Sequence, residues 1–92
     1  MGVIQVSYDL NRPGKDYSSL TKHLKENYKS WCHPLDSYWF VASDKSAGTV
    51  RTECRTHLDA NDELVCFDVS RSDWATLNVS KDVTDWFNQW IS

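Results

Sequence analysis

The chain opens on an alternation. In Val3-Ile4-Gln5-Val6-Ser7-Tyr8 the side chains of Ile4, Val6 and Tyr8 fall on one side of an extended backbone and Gln5 and Ser7 on the other. This period of two is the signature of a half-buried strand. The run ends on Asp9, and Asn11-Arg12-Pro13-Gly14 breaks it. From Asp16 to about Lys29 the period changes: Tyr17, Leu20, Leu24 and Tyr28 recur at helical spacing, while Lys22, Lys25 and Lys29 line another side. That pattern predicts an amphipathic helix with a basic outer stripe.

Two aromatic, β-favouring runs follow, Ser30-Trp31-Cys32-His33 and Ser37-Tyr38-Trp39-Phe40-Val41-Ala42, joined by Pro34-Leu35-Asp36 as a hairpin. Ser43-Asp44-Lys45-Ser46 offers capping residues for a second helix carrying Val50, Cys54, His57 and Leu58 on one face, weakened by Gly48 and its threonines. Asp59-Ala60-Asn61-Asp62 turns the chain into a last strand, Glu63-Leu64-Val65-Cys66-Phe67-Asp68-Val69. A polar loop then leads to a C-terminal helix over about residues 80–91, capped by Ser80, with Val83, Trp86, Phe87, Trp90 and Ile91 on one side.

Strand, helix, hairpin, helix, strand is the ferredoxin-like (βαββαβ) order: an α+β fold whose antiparallel sheet carries two helices on one face. The expectation is a single domain spanning residues 1–92, with the additional C-terminal helix. The other sheet face would present Val3, Leu64 and Cys66, too apolar to leave bare, so either the C-terminal helix or a second subunit must cover it.

Composition narrows the function. A 92-residue chain builds a small core, and its five Trp, four Tyr and three Phe must supply much of it. Three widely spaced cysteines with no Cys-x-x-Cys pair, and no apolar leader, indicate a cytoplasmic, reduced chain. No apolar run approaches the length of a membrane span. The net charge of −3 is uneven: residues 1–51 sum to +2 and the remainder to −5. Proteins that grip nucleic acid without sequence preference usually carry a basic balance, so any phosphate contact here must be local.

The motifs Ser7-Tyr-Asp-Leu-Asn-x-Pro-Gly-x-Asp-Tyr17, Trp31-Cys-His-Pro-Leu-Asp-Ser-Tyr-Trp39 and Asn61-Asp-Glu-Leu-Val-Cys-Phe-Asp-Val69 resemble the SinR-like family of small bacterial and phage proteins. That family is distantly similar to the smaller CRISPR adaptation protein and to the virulence-associated protein D ribonucleases. The resemblance implies a ferredoxin-like homodimer. It also implies that Asp9 aligns with a first-strand aspartate linked, in some relatives, to metal-dependent phosphodiester cleavage, whereas others act as structural adaptors. Despite the label, the chain has no pair of adjacent helices of the helix-turn-helix kind.

The candidate residues follow from both readings. Asp9 is the catalytic candidate; with its symmetry mate it would leave most of an octahedral Mg²⁺ or Mn²⁺ shell to water and phosphate, and as a plain turn residue it would accept backbone N–H bonds. Asp68, on a strand expected beside the first, is the candidate second metal carboxylate near Asp9 on the open face. Arg12 and Lys15 share the loop after Asp9 and would neutralise a phosphate there, or simply solvate the turn. Trp86 and Trp90, four apart, would anchor a partner or stack bases, or simply pack on the sheet. The Cys and His residues lack the paired spacings of a zinc site.

The acidic balance favours a small, dimeric, CRISPR-adaptor-like or SinR-like binding protein of a defence, toxin or mobile-element setting. A metal-dependent RNA or DNA endonuclease using Asp9 is the enzymatic alternative. A phage-type inhibitor that docks on a host protein, displaying Asp59, Asp62, Glu63, Asp73, Asp82 and Asp85, is the third.

Overall fold

The computed structural model describes residues 1–11 and 17–91. The elements are β1 (Gly2–Asp9), α1 (Ser18–Glu26), β2 (Ser30–Leu35), β3 (Tyr38–Ser43), α2 (Ala47–Arg55), β4 (Glu63–Asp68) and α3 (Lys81–Trp90). The four strands form one antiparallel sheet in the order β2-β3-β1-β4, so this is a small α+β protein, with three helices among the described residues. None of the helices among the described residues is long and apolar enough to cross a membrane.

Each sheet face has its own core. On the first, Ile4, Val6, Trp39 and Val41 meet Leu20 and Leu24 of α1 and Val50 and Cys54 of α2. The helices fit because their apolar residues recur at helical spacing, and α2 is capped: Ser46 Oγ accepts the N–H of Thr49 at its start. Trp39 is wholly buried here, its indole N–H donating to the Tyr8 hydroxyl at 2.9 Å, with the His33 ring stacked on it at 3.7 Å. On the second face, Val3, Cys32 and Phe40 meet Phe87 and Ile91 of the C-terminal segment. Ser80 stands at the expected N-cap of α3, although its hydroxyl makes no capping bond.

Several sequence expectations change in detail. β1 is buried on both faces from Val3 to Val6 rather than on one, because it is a central strand and α3 covers its second side. Gln5 is therefore enclosed, and its side-chain nitrogen has no hydrogen-bond partner among the described residues. Pro34 and Leu35 belong to β2, beside a register shift between Cys32 and Leu35, and the hairpin loop shrinks to Asp36-Ser37. Leu64 and Cys66 pack against the helical core, leaving Val65 and Phe67, not them, on the second face with Val3. Gly2 sits where a Cβ would come within 2.8 Å of the Ser70 hydroxyl, so the β1 start closes tightly on the turn after β4.

Phe87 joins the tryptophan cluster of α3 to Phe40 of the sheet at a ring separation of 4.9 Å. Truncation in Phe87→Ala should lower unfolding stability by about 3–5 kcal/mol. Urea unfolding checks this, and a shift under about 1 kcal/mol would mean that α3 does not hold the second face closed.

Candidate functional site

Asp9 lies at the exposed end of β1, and the strand beside it decides its company. In the β1–β4 register Asp9 stands opposite Glu63, whereas Asp68 stands opposite Ile4 at the other end of the pair. Five residues of strand separate the two aspartates, about 17 Å of rise, and the odd number puts them on opposite faces. The expected Asp9–Asp68 carboxylate pair therefore does not form; antiparallel pairing reverses the direction that would have joined them. Glu63 is the carboxylate that accompanies Asp9, and both line a shallow recess with Ser7, Leu64 and Val65.

The loops beside that recess are tied by Asn11 and Asp62. The Asn11 amide donates to the carbonyls of Asp9 and Asn61 and to Glu63 Oε1, at 3.4, 2.9 and 3.3 Å. Asp62 accepts from Asn11 N, from Asp59 N and from the Tyr17 hydroxyl, each at 2.8 Å. Asp9 contributes its carbonyl to this knot, so the recess is held rigidly at one corner. Two facing carboxylates offer oxygen ligands of the type Mg²⁺ or Mn²⁺ takes. Among the described residues, however, no group of three His, Cys, Asp or Glu side chains converges as a metal set. Arg12 and Lys15 lie outside the described residues.

Asp68 has a local task. Its Oδ1 accepts from both the N–H and the hydroxyl of Ser70, and Ser70 Oγ in turn accepts the N–H of Val3 at 3.0 Å. Those Ser70 bonds hold the Asp68 carboxyl below its ordinary range, so it is ionised and exposed. Trp86 and Trp90 are half-buried on α3. The Trp86 indole donates to Ser30 Oγ at 2.8 Å and its ring lies 6.3 Å from Phe40, while Trp90 packs on Trp86 at 6.1 Å. Their packing against the sheet is the helix-docking role.

The basic stripe of α1 is divided. Lys22 is exposed, Lys29 falls beyond the end of α1 and is also exposed, and Lys25 places its ammonium 5.0 Å from the centre of the Trp31 ring, a cation–π contact. His23 turns instead into the seam between α1 and α2, its ring 4.8 Å from that of His57. There it joins a polar chain that no local motif announces: Lys45 Nζ donates to Glu53 Oε2 at 2.7 Å, the Tyr28 hydroxyl to Glu53 Oε1 at 2.8 Å, and His23 Nε2 meets Tyr28 Oη at 2.9 Å. Since the single Tyr28 proton is given to Glu53, the imidazole must donate from Nε2, which fixes the tautomer of neutral His23. His23 and Glu53 come from α1 and α2, and Tyr28 and Lys45 from the segments after α1 and before α2, so folding brings the two pairs together.

One surface is left open. α3 covers the second sheet face over β2 and β3, but at β4 Val65 and Phe67 remain 49% and 62% exposed. Beside them an apolar groove of about 490 Å³ runs under the 69–80 segment, lined by Leu35, Tyr38, Phe40, Trp74 and Leu77. Sequence alone did not single out Val65 or Phe67, because every residue from Leu64 to Phe67 is apolar and nothing says which alternate pair faces the helices.

The His23 chain has a pH signature. Burial first, then the neighbouring His57 and Lys45, hold the imidazole below its ordinary 6.5, with Glu53 opposing. The hydrogen bond from Lys45 chiefly, with that from Tyr28, holds the Glu53 carboxyl below its ordinary 4.5. The unfolded chain thus binds more protons than the folded one, first below 6.5 at His23 and again below 4.5 at Glu53. Stability is full above the first value and is lost on acidification. Urea midpoints of the wild type should fall between about pH 7 and about pH 5, and fall less in His23→Gln; equal slopes for the two proteins would remove His23 from the account. Compared with protein-family models, with curated proteins and with solved structures, the chain matches none.

Proposed function

We propose that this protein is a binding module rather than an enzyme: a ferredoxin-like, SinR-like homodimer that works through protein contacts in a defence, toxin or mobile-element setting. The ferredoxin-like reading is supported by the element order and by the antiparallel order β2-β3-β1-β4, with α1 and α2 on one face. The functional reading rests on one observation, the exposure of Val65 and Phe67 on a strand at the sheet edge. Exposed apolar side chains beside unpaired strand backbone are what a partner polypeptide recognises when it adds to a sheet. The acidic balance of residues 52–92, where β4 lies, favours a protein over a phosphate backbone as that partner.

A second reading has its own support. The facing carboxylates of Asp9 and Glu63, braced by Asn11, are the feature a metal-dependent endonuclease would use, with Arg12 and Lys15 following in sequence. Incubation of labelled single-stranded RNA, single-stranded DNA and duplex DNA with Mg²⁺ or Mn²⁺ separates the two. The binding module is expected to leave all three intact, or to differ in nothing from Asp9→Ala and Glu63→Gln prepared in parallel. Cleavage abolished by both substitutions, with circular dichroism unchanged, would make this an enzyme.

A further inference from the structure

The two edges of the sheet are treated differently. On β2 the edge is interrupted by Pro34 and by the register shift between Cys32 and Leu35, and α3 leans on it through the Trp86–Ser30 bond. These are standard ways of blunting an edge against further pairing. β4, Glu63-Leu-Val-Cys-Phe-Asp68, has no Pro, Gly, Lys or Arg and pairs without a register shift.

The direction of its free backbone groups can be read from the ladder. Val69 N donates to Val3 O, and Tyr8 N, one strand in, points the other way to Ser37 O. Alternation then turns the backbone of Glu63, Val65 and Phe67 toward β1 and that of Leu64, Cys66 and Asp68 outward. Among the described residues, no loop or side chain bonds to the main chain of those three. An open strand pairs with itself only antiparallel about a twofold axis, and keeping the two faces continuous requires that axis to pass through a residue rather than between two.

We infer that β4 pairs with β4 of a second copy of this chain about an axis at Cys66, which joins the two sheets into one of eight strands. This rests on the binding reading above and names its partner. Centring on Cys66 uses the full length of the strand, and side-chain chemistry supports it on both faces. On the second face it sets Val65 against the partner's Phe67, and Phe67 against the partner's Val65, so the exposed apolar residues cover one another at close cross-strand distance. On the helix face it sets Leu64 opposite the partner's Asp68. Leu64 lines one groove with the exposed Arg51 and Arg55 of α2 and with Asp59 and Asp62; among the described residues neither arginine has a carboxylate at ion-pair distance. The partner's ionised Asp68, whose Oδ1 alone is taken by Ser70, therefore arrives beside two guanidinium groups, and symmetry repeats the pairing.

Sedimentation over a wide concentration range, with circular dichroism as a folding control, tests the inference. The wild type should be a dimer. Phe67→Arg and Asp68→Arg should each weaken self-association by about tenfold or more, and Arg51→Glu with Arg55→Glu should restore it in Asp68→Arg. With the native cysteines replaced, a mixture of Val65→Cys and Phe67→Cys chains should form an intermolecular disulfide on oxidation, and neither alone should do so. A dimer untouched by Phe67→Arg and Asp68→Arg would overturn the β4 contact and leave the homodimer reading standing. A monomeric wild type would overturn both, and cross-linking of Val65→Cys alone would overturn the register.

Discussion

The burial of β1 on both faces is the constraint from which the remaining architecture follows. A strand enclosed by β3 and β4 at its sides needs apolar cover above and below. Val3, Ile4 and Val6 are completely or almost completely enclosed, so their contribution exists only while α1, α2 and α3 are all docked. At roughly 1.5–3 kcal/mol for each such side chain, losing either layer removes a large part of the stability of a small domain. The enclosed Gln5, whose amide nitrogen has no partner among the described residues, marks where the second layer closes over a position that alternation made polar.

The two layers are built differently. The helical layer is a conventional aliphatic core closed by the fully buried Trp39, whose indole N–H is satisfied by Tyr8. The second layer is aromatic, with Phe40, Phe87, Trp74 and Trp86 meeting edge to face or tilted. One short helix must cover the face there, and large rings cover the most area per residue. α3 reaches β2 and β3 but not β4, which is why the apolar surface ends in the exposed Val65 and Phe67. The exposed apolar surface is a direct result of a ten-residue helix being too small for a four-stranded sheet.

The same geometry separates structural from available charge. Asp62 and Asp68 were both conspicuous as acidic loop or strand-end residues, yet Asp62 is spent on tying the turn at Asn11 and Asp59. Asp68 spends one oxygen on Ser70 and keeps the other at the open edge. Glu53, by contrast, anchors a polar chain across the α1–α2 seam that ends on His23, whose ring lies 4.8 Å from that of His57.

Local pattern carried the element order a long way. Alternation located β1 and the strand from Glu63, the three-four spacing located both covering helices, Ser46 capped α2 as its position suggested, and the aromatic face of the last helix required a docking surface. Those features depend on neighbours in the chain, where backbone periodicity acts directly. Pairing across the sheet had no such trace. Nothing local makes Glu63 rather than Asp68 the companion of Asp9, joins His23 and Tyr28 to Glu53, or decides which alternate residues of an all-apolar strand remain outside. Register and layer coverage settle those points, because each is a competition among long-range contacts that only the closed tertiary structure resolves.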